Sequence, residues 1–323
     1  MNARRFSGLI MAIALAGLIA SGCSSAPSSP ASSSSSGPEV ANIKVGVLPI
    51  IDNAAVYIAL HKGLFKAQGL NVTPVILANG ALGTAGLLSG KLNFAFSNYV
   101  TAILGASHGA KLLYVADGHQ ATPNNVDIVV PKGSALRTPQ DLRGKTIAVN
   151  APNNIGPLLV WATLGTYGVP KTSVKLLPVP FPQMAEALST HSVDAAWITE
   201  PFLTQAEQKI GAQVLVDTAS GPTANFPIAG YEATSQFVRQ NPKTVAAFRK
   251  AIDQAQALAA NRSQVEQVLP TYIKGMTPQL ASVLNLGAFP TSLSQERLQR
   301  VANLMQTEGM LQKPFNTQQL LTP

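Results

Sequence analysis

The chain is 323 residues long, room for two domains at about 100–200 residues each. Hydrophobic residues make up 46% and charged residues 12%, against roughly 25% charged in an average soluble domain, so a sizeable core is available and whole-chain disorder is excluded. The net charge of +8 comes without a Lys/Arg run longer than a pair, which argues against nucleic acid. The single cysteine, Cys23, excludes a disulfide framework, a cysteine zinc site and an iron–sulfur cluster.

Arg4 and Arg5 precede an apolar or small stretch over 9–20. It is shorter than the about 20 residues that a bilayer span takes, and 1–22 reads as a signal peptide. Leu18-Ile19-Ala20-Ser21-Gly22-Cys23 resembles the bacterial lipobox. That resemblance implies cleavage before Cys23 and lipidation of its thiol, an anchor on the outer face of a bacterial membrane, at the cell surface or in the periplasm. Residues 24–38 consist of Ser, Ala, Pro and Gly, which build no core, so 23–40 is expected to be a lipidated, flexible tether.

The folded part is expected from residue 41. Strands are predicted at 42–48, 70–77, 92–97 and 111–116, with helices at 54–65, 81–88 and 99–107 between them. The alternation continues with strands at 127–130, 146–149, 174–177, 195–198, 213–216 and 228–233, and helices at 155–167, 183–189 and 202–210. Helices close the chain at 243–261, 263–273, 278–285 and 294–306. Such alternation predicts α/β lobes, each a mostly parallel sheet flanked by helices.

Phosphate-loop and dinucleotide readings fail on context. Gly144-Lys145-Thr146 has Pro139 where the loop needs its first glycine, and a strand follows it. Gly80, Gly83 and Gly86 are spaced wrongly and sit in a helix. No H-E-x-x-H pattern occurs.

Four phrases occur in order. They are 59–72 around Lys62-Gly63-Leu64-Phe65, then Asp141-Leu142-Arg143-Gly144-Lys145, then Met184-Ala185-Glu186-Ala187-Leu188, then Val193-Asp194-Ala195-Ala196-Trp197 running to Glu200-Pro201-Phe202. Together they resemble the nitrate/sulfonate/taurine and thiamine-precursor binding proteins, with Ser192 standing where that family usually has glycine. The resemblance implies a two-lobed periplasmic-binding-protein-like fold of the second topological class. Lobe one would take 41–126 and 231–323, lobe two 127–230, and strands near 127–130 and 228–233 would cross between them. It also implies a solute-binding lipoprotein that serves the permease and ATPase of an ABC importer, as a monomer, with no cofactor and no metal.

Ligands of open α/β sheets bind beyond the carboxyl ends of strands. Here that rule selects Pro49, Ile50, Asp52, Asn79, Gly80, Ser97, Asn98 and Tyr99 from lobe one. From lobe two it selects Asn153, Asn154, Ile155, Phe181, Thr199 and Glu200. Asp, Asn, Ser and Thr at such places also cap helices, which competes for Asp52, Asn98 and Asn153. Trp161 and Trp197 read as core. His61, His108, His119 and His191 read as surface or loop residues, with His119 nearest to a strand end. Asp52 and Glu200 would put two carboxylates in the cleft. That suits a nitrogen heterocycle first and a sulfonate-like solute second. The same family resembles pyrimidine synthases, but their branch carries a cysteine-rich motif absent here, and a non-transport surface sensor has no positive feature in its favour.

Overall fold

Short β-branched runs separated by apolar helices resolve into two five-stranded sheets. The computed structural model describes residues 37–322; the expected signal peptide, Cys23 and the tether up to residue 36 lie outside the described residues.

The first sheet contains β1 (Asn42–Val47), β2 (Asn71–Ile76), β3 (Phe94–Asn98) and β4 (Leu112–Gln120). The second contains β5 (Val126–Val130), β6 (Thr146–Val149), β7 (Lys175–Pro178), β8 (Ala195–Thr199) and β9 (Gln213–Asp217). The last strand, β10 (Pro227–Thr234), returns to the first sheet. The orders are β2-β1-β3-β10-β4 and β7-β6-β8-β5-β9. In each sheet the first three strands are parallel, and the fourth runs antiparallel to both its neighbours. The lobes therefore share one plan, with β10 and β5 in equivalent places.

The chain crosses between sheets twice, from β4 to β5 and from β9 to β10. The two crossings lie side by side: Ala121 N–H donates to the Phe226 carbonyl at 2.9 Å, and Thr218 N–H to the Val126 carbonyl at 3.1 Å. The expected lobe boundary at 230/231 needs correction, because it cuts β10, which pairs with β3 and β4 on both sides of that boundary. The expected tether is also too long at its end. The Glu39 carboxylate accepts the N–H groups of Lys243 (3.0 Å) and Thr244 (2.8 Å), capping the helix Pro242–Ala259 and tying residue 39 to the folded body.

Gly63, in the left-handed region at φ 68°, divides the expected helix over 54–65 into Ala54–His61 and Leu64–Ala67. The helix Ser235–Gln240 was not expected. The first lobe's core centres on Phe94, stacked on Phe248 at 3.9 Å, with Phe65 also stacked on Phe248 at 5.6 Å. Met184, Leu188, Val193, Ile198 and Leu203 build a separate cluster under the second sheet.

Candidate functional site

The strand ends of both sheets open on a shared cleft of about 410 Å³. Ile50, Asp52, Asn79, Gly80, Ser97 and Asn98 line it from the first lobe. Asn153, Asn154, Ile155, Phe181 and Thr199 line it from the second. The strand-exit rule therefore brings these residues together. Three of its choices fall outside the lining.

Tyr99 is fully buried, because its side chain turns from the first helical turn into the sheet. There its hydroxyl donates to Asp117 Oδ1 at 2.6 Å, and its ring meets Tyr114 edge-on at 4.7 Å. Pro49 lies outside the lining beside Ile50. Glu200 has 0% exposure and folds back over the start of helix Phe202–Ile210. It accepts Thr204 N–H at 3.1 Å, Thr204 Oγ1–H at 2.7 Å and Asn285 N–H at 3.3 Å. Its carboxylate serves a helix start and the C-terminal segment at Asn285, and not the cleft.

Four helices begin at the cleft: Gly80–Leu88, Tyr99–Ser107, Ile155–Thr166 and Phe181–Ser189. Their N-termini carry partial positive charge and free N–H groups. Asn79 and Asn98 cap two of them, accepting from Leu82 N–H and Thr101 N–H. Asn154, and not Asn153, caps the third, since Asn153 is exposed in the left-handed region at φ 50°.

Asn154 also joins the lobes. Its Oδ1 accepts from Ile155 N–H (2.8 Å), from Asn150 Nδ2 (3.1 Å) and, across the cleft, from Asn98 Nδ2 (3.3 Å). Its own Nδ2 donates to Thr101 Oγ1 at 3.1 Å. Asn150 Oδ1 is buried with no partner among the described residues, an acceptor left over at the cleft wall.

The walls are mostly apolar. Trp197 was expected in the core. It is 2% exposed, yet its ring borders the cleft, because Nε1–H is held by Thr218 Oγ1 at 3.0 Å. Phe181 stands 6.0 Å from it, backed by Phe202 at 5.8 Å. Gly156 permits this arrangement, since a Cβ there would come within 2.8 Å of both Trp197 Cε3 and Asn150 Oδ1. Phe96, Thr101, Val126 and Ile228 also line the cleft and were missed. Of these only Thr101, three residues after a capping Asn, carried a sequence signal.

Among the described residues Asp52 is the one charged residue in the lining, and it is paired. His119, expected near the surface, is 1% exposed; its Nδ1 stands 3.3 Å from Asp52 Oδ2 and its Nε2 3.0 Å from the Leu286 carbonyl. A carbonyl only accepts, so Nε2 carries a proton, and Nδ1 stands beside the carboxylate, where a second proton would make the imidazole its counter-charge. Burial alone pushes the imidazole down, but the Asp52 carboxylate and the Leu286 carbonyl outweigh it and hold His119 above its ordinary value. The cleft thus presents neither of the expected free carboxylates, and no Lys or Arg lines it among the described residues.

Among the described residues, no group of three or more His, Cys, Asp or Glu is placed to hold a metal ion, and no helix is long and apolar enough to cross a membrane.

Two lobes of like topology, two crossings and a cleft at the strand ends define a periplasmic-binding-protein fold. Residues 51–264 match the family model described as NMT1/THI5 like, and the chain belongs to that family. A binding protein of Brucella abortus (strain 2308) is 25% identical over 272 residues, covering 80% of this chain and 83% of its own. The nitrate/nitrite binding protein NrtA of Nostoc sp. is 24% identical over 294 residues, covering 79% of this chain and 66% of its own. Among solved structures, the alkanesulfonate-binding protein SsuA of Xanthomonas axonopodis pv. citri, bound to MOPS, superposes with a TM-score of 0.75. Its identity is 20%, and the match covers 88% of this chain and 99% of that one. Fold, cleft and family make this chain an extracytoplasmic solute-binding protein of the kind that serves ABC importers.

Proposed function

We propose that this chain is a lipid-anchored receptor, held through Cys23, that captures a small organic anion with a short apolar body and presents it to an ABC permease and its ATPase. One observation carries the choice of solute. Four helix N-termini and a set of side-chain amides converge on an apolar-walled cleft that, among the described residues, has no Lys or Arg and a single acid, paired with a histidine. Helix N-termini and neutral donors hold a compact anionic head without cationic side chains. Phe181, Trp197 and Phe96 cover an apolar portion. The nitrogen heterocycle ranked first above rested on two free carboxylates, and with Glu200 turned away and Asp52 paired that argument loses its premise. The nitrate/nitrite-binding and alkanesulfonate-binding proteins that this chain resembles point the same way.

Solute bound between the lobes draws them together about the paired crossings, and the closed form is what the permease reads. The reading is capture without chemistry, in which the Asp52–His119 pair sets the charge of the cleft and transforms nothing. A thermal-shift screen with native mass spectrometry tests it, using alkanesulfonates, short carboxylates and aminopyrimidines. A ligand at 100 times its Kd stabilises the fold by about 2.7 kcal/mol. Stabilisation by an alkanesulfonate or carboxylate with one-to-one binding is expected. Stabilisation by aminopyrimidines alone overturns the assignment.

A further inference from the structure

A second cavity, of about 420 Å³, lies at the crossing side of the second lobe. Asp127 on β5, Glu200 after β8 and Glu207 on helix Phe202–Ile210 line it, with Asn285 and Val283 of the C-terminal segment closing one side. No Lys, Arg or His lines it among the described residues. Glu200 is satisfied, with its three hydrogen bonds from Thr204 and Asn285. Asp127 is not. It has 0% exposure, and neither carboxylate oxygen has a hydrogen-bond partner among the described residues. Its cross-strand partner on β9 is another acid, Asp217. A buried carboxylate without donors, set against like charge, is unfavourable: it either keeps a proton, which Asp217 can share, or takes a cation from outside the chain. At the mouth stand two exposed apolar side chains, Val214 (42%) and Val283 (58%).

We infer that this cavity is a binding site for an alkyl cation, an ammonium or guanidinium group on a short aliphatic stem, with the N–H donors on Asp127 and Glu207 and the stem between Val214 and Val283. Acids at the base and valines at the mouth match such a molecule end to end. A bare metal ion fits less well, since no group of three or more acids or histidines among the described residues is placed to ligate one. A proton shared by Asp127 and Asp217 alone would need neither the cavity nor the apolar rim. The inference is independent of the solute in the cleft between the lobes.

In the empty cavity, burial first, and then Asp217, Glu200 and Glu207, push Asp127 up to about 8, so it is largely protonated at pH 7. A bound cation displaces that proton. The test is titration calorimetry of the full chain in detergent at pH 7, with n-butylammonium and n-butylguanidinium as probes and tetramethylammonium, which has no N–H, as the control. One saturable site is expected for at least one probe, with none for the control. The heat should differ between phosphate and Tris buffers by the release of up to one proton. Asp127→Asn should weaken binding by about tenfold or more and abolish the buffer dependence. Glu207→Gln, at the edge of the cavity, should weaken it by about threefold or more and serves as the second variant. The absence of saturable binding for both probes overturns the inference, and so does binding that both variants leave unchanged.

Discussion

Asn154→Ala separates lobe closure from fold stability. Asn154 makes two hydrogen bonds across the cleft, from Asn98 at 3.3 Å and to Thr101 at 3.1 Å, and two within its own lobe, from Asn150 and Ile155. The bonds within the lobe are present whether the lobes are apart or together, so their loss cancels in the closure equilibrium. The two bonds across the cleft exist only when the lobes meet. At about 0.5–1.5 kcal/mol net for each bond, with the longer one at the weak end, their loss costs about 1–2 kcal/mol of closure. That lowers the closed-to-open ratio about 5- to 30-fold at 1.36 kcal/mol per factor of ten. Thr101→Val removes one of the two bonds while keeping the shape, and should give roughly half the effect in free energy. Pulsed electron spin distance measurements between labels on Lys66→Cys and Lys175→Cys, one on each lobe, read the populations directly. Cys23 is the only native cysteine and is changed to Ser for this purpose. A solute-free distance distribution identical in wild type and Asn154→Ala would refute the reasoning.

Glu200→Gln should lose about 1–3 kcal/mol of stability in chemical denaturation, because it weakens the buried acceptor of three hydrogen bonds, two of them fully buried, and should leave solute affinity unchanged. An affinity change without a stability change would put Glu200 back in the cleft. His119 is held above its ordinary value, so the stability it contributes is fully present below its unfolded value of about 6.5 and is lost as pH rises through the raised folded value. Over the same rise Asp52 loses its neutralising partner, so the affinity for an anion should fall in wild type. In His119→Gln that dependence should be absent; a flat wild-type Kd from pH 5.5 to 9 contradicts this account of the pair. Gly156→Ala should cost about 1–3 kcal/mol in denaturant titration, since its Cβ meets Trp197 and Asn150 at 2.8 Å. Cys23→Ala should release the protein from membranes in cell fractionation, and a mature-sized variant that stays membrane-bound would refute lipid anchoring.

Most of the fold was readable because each element announces itself locally. The helices Tyr99–Ser107 and Phe202–Ile210 and strand β6 occupy the positions their apolar patterns predict. The cleft was readable to the extent that a strand end fixes a position. Side-chain direction was not. Glu200 sits at a strand exit as the rule requires, but the N–H of Thr204 four residues on captures its carboxylate. Tyr99 likewise stands in the right turn and faces the wrong way, toward Asp117. His119 was misjudged because the groups that bury it, Asp52 and Leu286, are brought together by the fold from 67 residues before it and 167 after it in sequence. The tight approach of the second is marked by Gly287, whose Cβ would fall 2.3 Å from His119 Nε2. Trp197 was read as core on its strand position, and it is core on every side except the one that borders the cleft.

Trp197 also supplies the most direct test of the central claim. The chain has two tryptophans, and Trp161 is not among the residues lining the cleft; the Lys171 ammonium stands 5.6 Å from its ring centroid and donates to the Glu308 carbonyl of the first lobe. In Trp161→Phe the fluorescence therefore reports on the cleft wall alone. Titration of this variant with an alkanesulfonate that native mass spectrometry has shown to bind should give a saturable change in Trp197 emission at one-to-one stoichiometry. A bound solute that leaves the Trp197 emission unchanged at saturation would place it elsewhere and contradict the assignment of this cleft.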